Sequence, residues 1–123
     1  AGGSKTTRGV ANDASGNIWF GTPEGLWKRD RDGETIGPMT FENEPTGPNF
    51  LEENSIISIA HADATNKIWV GTRSGLAYLA DGQQYIKYVT DIRGSMVFTL
   101  STDKVGDVWV GDFNNGLIYL DGI

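Results

Sequence analysis

The chain has 123 residues, no cysteine and a formal net charge of −6 at pH 7. That length suits one domain of ordinary size; the missing thiols exclude disulfides and thiolate metal sites; the acidic balance argues against a nucleic-acid partner, which would want a basic stripe. Hydrophobic residues make up 38%, enough to bury a core, no stretch approaches the ~18 apolar residues of a membrane span, and 17 glycines without a Gly-X-Y period mark a turn-rich chain rather than a collagen-like one.

The opening Ala1-Gly2-Gly3-Ser4 reads as a tag remnant or clipped end, so residues 1–5 are set apart. Asp13, with Gly16 three residues later, marks a tight turn: aspartate caps the turn backbone and glycine tolerates the positive φ at its exit. Asn17 to Thr22 then reads as a strand apolar on both faces, as a strand covered on two sides would be. A short loop at Pro23-Glu24 leads through Gly25 to a third strand, Leu26-Trp27-Lys28. Asp32-Gly33 is a two-residue hairpin signal, and a fourth strand is expected from Thr35 to Glu42. Blade-like unit one therefore covers 6–44. Pro45, Pro48 and Gly47 make 45–54 an inserted connecting loop. Glu42, Glu44, Glu52 and Glu53 crowd around it, where a solvated loop is the plain explanation and the spacing of a calcium loop is missing.

The same order returns twice. Asp63, Asn66, Trp69, Gly75 and Asp81-Gly82 mark a second unit over 55–90, with its fourth strand from Gln84 to Thr90. Asp103, Gly106, Trp109, Gly116 and Asp121-Gly122 mark a third over 91–123, which stops before a fourth strand. The tryptophan recurs after 50 and then 40 residues, a period that fits propeller blades or helical pairs. Short runs rich in Val, Ile, Trp and Tyr, broken by Gly, Asp and Asn, favour strands. The expected fold is all-β: β-propeller blades as four-stranded antiparallel meanders, two complete and a third lacking its outer strand. Gly21, Gly71 and Gly111 would let another backbone or ring approach closely.

The pattern Asp-x-x-Gly-Asn-Ile-Trp-Phe-Gly-Thr-x-x-Gly-Leu, intact from Asp13 to Leu26, resembles the two-component regulator propeller repeat. The second copy departs at Asn66 and Lys67. The third departs at Asp112, where threonine is usual, and has one extra loop residue. The resemblance spans Thr7 to Gly122. It implies a periplasmic or otherwise extracytoplasmic sensor region of a hybrid two-component system, responding to oligosaccharides. It also reaches the streptogramin-lyase-like propellers.

A phrase repeated three times is architecture, since a catalytic centre is needed once. Trp19, Trp69 and Trp109 are accordingly expected to pack between blades. His61, the single histidine, lies two residues before Asp63. No second histidine or acidic cluster completes a metal set, so no catalytic residue, metal or cofactor is expected. The candidates for ligand binding break the repeat and sit after the tryptophan strands or between blades: Glu24, Trp27, Phe50, Arg73, Arg93, Phe113, Asn114 and Asn115. Bidentate donors, amides and a flat apolar face are what a glycan site uses; the plainer readings are packing for Trp27 and ordinary polar loop residues for the others. The expectation is a non-catalytic ligand-sensing fragment. A protein–protein scaffold and a lyase-like enzyme fragment are the alternatives. Three blades would leave two apolar faces open and Leu117 to Leu120 as an unpaired edge, so self-association is expected too.

Overall fold

The computed structural model describes residues 7–41, 55–93 and 95–121. They form strands only: β1 (Arg8–Asn12), β2 (Ile18–Thr22), β3 (Gly25–Arg29), β4 (Thr35–Phe41), β5 (Ile56–Ala62), β6 (Lys67–Thr72), β7 (Gly75–Leu79), β8 (Tyr85–Arg93), β9 (Val97–Thr102), β10 (Val108–Asp112) and β11 (Gly116–Leu120). Each strand pairs antiparallel with its chain neighbour inside three meanders, β1–β4, β5–β8 and β9–β11. The inserted loop expected at 45–54, with Phe50, lies outside the described residues.

Aspartates fold the hairpins locally. Asp13 Oδ1 accepts the backbone N–H groups of Ser15 and Asn17, both at 2.9 Å. Asp103 does the same for Val105 and Asp107. The exit residue is left-handed each time: Gly16 at φ 87°, Gly106 at φ 92°, and Asn66 at φ 52° in the second meander. The β3–β4 turn differs from expectation. Asp32-Gly33 is not its two-residue centre; Asp30 carries the turn through Asp32 and Glu34, and Gly33 is its exit. One hairpin in four residues explains the misreading, because Asp30 is itself an aspartate with a glycine three positions later. At Asp81-Gly82 the two residues are the turn centre, closed by Gln83 N–H to Ala80 O at 3.1 Å.

Asp13 does more than cap. Its Oδ2 accepts Asn17 Nδ2 at 2.8 Å and the indole Nε1 of Trp19 at 2.9 Å. Burial pushes this carboxyl up, but the four hydrogen bonds outweigh it and hold the group down at about 2. The turn is thereby tied to the tryptophan that packs the core.

Alternation along each tryptophan strand then builds the interfaces. Trp19 packs in one cluster with Ile68 and Val70 of β6. On the other face of β6, Trp69 packs with Val108 and Val110 of β10. Trp69 is only 3% exposed, whereas Trp109, with no described sheet beyond it, is 41% exposed. Glycine makes the fit possible: a Cβ on Gly21 would collide with Ile56, and one on Gly71 with Ser58 and Val97.

Two features depart from separate blades with loops between them. β4 and β8 join in a short parallel ladder, Thr40 opposite Tyr85 and Phe41 opposite Ile86, so the first eight strands form one sheet. Phe41 and Ile86 are both buried, and the Phe41 ring stacks on Tyr88 at 5.1 Å, so shared burial draws the two edges together. In addition, Arg93, expected between blades, stands with Asp91 and Ile92 at the end of β8, because buried Ile92 anchors it in the second cluster.

Trp69→Ala should cost about 3–5 kcal/mol of stability, the range for large-to-small core changes, while Trp109→Ala should cost about 1 kcal/mol or less in dilute solution. Urea denaturation of both variants checks this; equal losses would remove the distinction between an interior and an open face.

Asp13 yields a pH dependence. Its folded pKa lies below the ordinary 3.8, so its contribution is full above that value and is lost as pH falls through about 2. Stability measured by thermal melts should fall across that window, and Asp13→Asn should flatten the fall. An unchanged slope would show that the turn carboxylate does not govern acid stability.

Candidate functional site

At one end of the strands, β2, β6 and β10 finish in Thr22, Thr72 and Asp112, all buried. These side chains shape the loops that follow. Thr22 Oγ1 accepts Glu24 N–H at 3.1 Å and donates to Gly25 O at 3.2 Å. Thr72 repeats this with Ser74 N–H at 3.0 Å and Gly75 O at 2.9 Å. A hydroxyl can do both jobs because it donates and accepts. The threonines therefore hold the loops carrying Glu24 and Arg73 in the same shape, with both side chains in solvent.

The third loop is rebuilt around a carboxylate. Asp112 Oδ1 accepts Ser95 Oγ at 2.6 Å, Asn114 N–H at 2.9 Å, Asn115 N–H at 3.0 Å and Asn115 Nδ2 at 3.2 Å. Burial pushes Asp112 up, but donation from Ser95, Asn115 and Asn114 prevails and holds it below the ordinary carboxylate range. It stays anionic, and its Oδ2 is buried without a hydrogen-bond partner. Ser95 and the lengthened loop supply the added donors. Phe113 N–H is bound to Met96 O at 2.9 Å, yet the residue is 73% exposed. Phe113, Asn114 and Asn115 thus form a rigidly based loop with an exposed aromatic and two amides.

The other sequence candidates fall in different places. Trp27 stands on β3, half-buried, with Nε1 donating to Thr22 Oγ1 at 3.2 Å. It supports the Glu24 loop from beneath. Arg93 ends β8 rather than lying in a loop. Glu24, Arg73 and Phe113 share the same end of their meanders. The side-chain network that assembles there joins Ser95, Asp112 and Asn115, and Ser95 and Asp112 were not among the sequence candidates. The signal for Asp112 was present: it alone breaks the Gly-Thr pair repeated at Gly21-Thr22 and Gly71-Thr72.

His61 sits at the opposite end of the strands. Its Nδ1 is 2.8 Å from Asp63 Oδ1 and its Nε2 is 2.8 Å from Asn66 Oδ1. Asp63 is therefore engaged with the histidine. The corresponding aspartate of the first meander binds the tryptophan indole instead, and Trp69 Nε1 is buried without a hydrogen-bond partner. Among the described residues, no three His, Asp or Glu side chains gather as a metal site, and no helix is long and apolar enough to cross a membrane.

No family model matches the sequence, and no curated protein matches it. Among solved structures, the chain is similar to the extracellular domain of BT4673 from B. thetaiotaomicron, described in one structure as a one-component system and in another as a hybrid two-component system. The TM-score is 0.61 in both, with 23% and 22% identity, over 86% of this chain and 14% of that one. It is also similar to a protein described as a gluconolactonase, with a TM-score of 0.56 and 17% identity over 94% of this chain and 41% of that one. The chain thus spans 14% of the length of the BT4673 domain. The likeness is one of fold: these all-β meanders are propeller-like, and they are shared with the extracellular domain of a hybrid two-component system.

Proposed function

We propose that the chain is a non-catalytic part of an extracytoplasmic sensing region in a hybrid two-component system, and that it takes an oligosaccharide at the loop rim. The observation that carries this reading is the shared fold with the BT4673 extracellular domain. The three repeats then serve as blades, over 6–44, 55–90 and 91–123, with 45–54 connecting the first two. The rim supplies an exposed aromatic in Phe113, amides in Asn114 and Asn115, a carboxylate in Glu24 and a guanidinium in Arg73. Phe50 and Arg93 belong to the same reading. Sugar recognition uses such flat apolar faces beside paired donors and acceptors. A lyase-like role is disfavoured by His61, whose two ring nitrogens are both engaged by protein oxygens.

Calorimetry with oligosaccharides tests the rim. Arg73→Ala or Asn114→Ala should weaken binding about tenfold, the loss of one good hydrogen bond, with unchanged thermal stability. Equal affinity in both variants for a saccharide that binds the parent chain would remove these loops from the site.

One observation favours a protein partner as well. Trp109, Leu117 and Tyr119 leave an apolar face on the third meander, and Val10 and Ile18 are exposed on the first. Soluble monomers rarely tolerate such contiguous apolar surface. In the proposed association the third-meander face of one copy packs on the first-meander face of another, where Ile18 occupies the place that Ile68 and Val108 hold in the interior. Light scattering on the 123-residue chain should show mass rising with concentration. A monomer at all concentrations, with no binding of an apolar dye, would count against this contact.

A further inference from the structure

We propose that the cleft between the first and second meanders, at the end opposite the rim, binds a small neutral polyol of about monosaccharide size. The site is separate from the rim and does not depend on the rim reading. Its volume is about 370 Å³, within the range of small-molecule sites. Asn17 and Lys28 stand on one wall, and Asn66, Asp81 and Gln83 on the other, with Trp19 among the lining residues between them.

The protein has already spent part of each amide. Asn17 Nδ2 donates to Asp13 Oδ2, which leaves its carbonyl oxygen for a ligand. Asn66 meets His61 Nε2 at 2.8 Å through one end of its side-chain amide, which leaves the other end for a ligand. Lys28 adds donors, Asp81 adds acceptors, and Gln83 offers both. A hydroxyl donates one bond and accepts others, so a molecule with several hydroxyls is what satisfies such a mixture. Charge points the same way. Lys28 and Asp81 offset one another, and both oxygens of Asp13 are occupied by donors within its own turn and strand. Asp13 stays ionised, so the cleft carries a net negative charge that disfavours an anion, while a cation would find both Asp13 oxygens already taken.

The cleft exists because the repeat is broken here. The residue paired across from the tryptophan is Tyr78 in the second meander and Tyr119 in the third, but Lys28 in the first. Between the second and third meanders the corresponding place is filled. The Tyr78 ring lies 5.3 Å from Trp69, Lys67 lies over both rings, and the turn at Gly106 packs on Ala64 and Thr65. In the first meander the narrow lysine stem leaves room. Its Nζ sits 5.4 Å from the Trp19 ring centroid, so the ring is capped and the ligand is held by hydrogen bonds rather than by stacking.

Nuclear magnetic resonance titration of the full chain with D-glucose, D-galactose and myo-inositol tests the site. At least one should bind with a Kd of about 1–10 mM and shift the side-chain amides of Asn17, Asn66 and Gln83 and the Trp19 indole N–H. Gln83→Ala and Asp81→Asn lie on an exposed turn and leave the core intact; each should weaken binding about three- to tenfold. No shifts with all three compounds would overturn the proposal. Shifts confined to Asn114 and Asn115 would also overturn it and would place polyol recognition at the rim. Cleft shifts unaffected by both substitutions would overturn it as well.

Discussion

Everything in this molecule hangs on one contact: a tryptophan on one sheet face pressed against a pair of β-branched or aliphatic side chains on the next. Trp19 meets Ile68 and Val70, and Trp69 meets Val108 and Val110. The contact works only because strand alternation puts the ring and the aliphatic pair on opposite faces of the same strand. The second meander is thus covered on both sides while keeping the same sequence pattern as its neighbours. Glycine two residues after each of these tryptophans removes the Cβ that would hold neighbouring strands apart. The aspartate turn six residues earlier fixes the register in which the ring arrives.

Once the faces match, the two ends of the strands are free to diverge. At the rim, a buried hydroxyl shapes the first two loops and a buried carboxylate the third. The threonine version both accepts from and donates to its own loop. The aspartate version cannot donate, so it recruits Ser95 and the Asn115 side chain, and it presents Phe113, Asn114 and Asn115 on a stiffened base. At the opposite end, replacement of a tyrosine by Lys28 opens a cleft that the neighbouring interface fills with aromatic carbon. Both candidate sites arise where one repeat departs from its siblings, and in both the departure is a polar residue at a position where the siblings carry a hydroxyl or an aromatic.

Much of this was legible in the sequence because it is carried by local chemistry. Asp13, Gly16 and Trp19 state a turn, its exit and the strand that follows, and the structure has them in those roles. The glycine positions announced close approach, which Gly21 and Gly71 provide. Contacts between distant segments were not legible. The ladder of Phe41 with Ile86 joins residues 45 apart in the chain, and no local pattern marks it. Asp91 to Arg93 read as a connection because polar residues flank Ile92, whereas burial of that one side chain keeps the strand going. The cleft was missed because Lys28 looks like an ordinary charged residue until Tyr78 and Tyr119 are seen at its place. Ser95 gave no signal of its own; only the buried Asp112 gives it a role.

The second meander shows which of these forces dominates. There the turn aspartate, Asp63, is engaged with His61, and the buried indole nitrogen of Trp69 has no hydrogen-bond partner. An unpaired buried donor costs about 1–3 kcal/mol. Burying a tryptophan ring of roughly 150–250 Å² contributes about 4–6 kcal/mol at ~25 cal/mol per Å², so the ring stays in place without its bond. The Tyr78 ring and the Lys67 ammonium, 5.5 Å from the Trp69 ring centroid, add to the same side. Hydrogen bonding by the turn aspartate is therefore a device of register and local shape, which the second meander can redirect to a histidine, whereas the fit of ring against aliphatic pair is the element it cannot give up. That ordering explains why Asp63 can change its partner while Trp69 remains at the centre of its cluster.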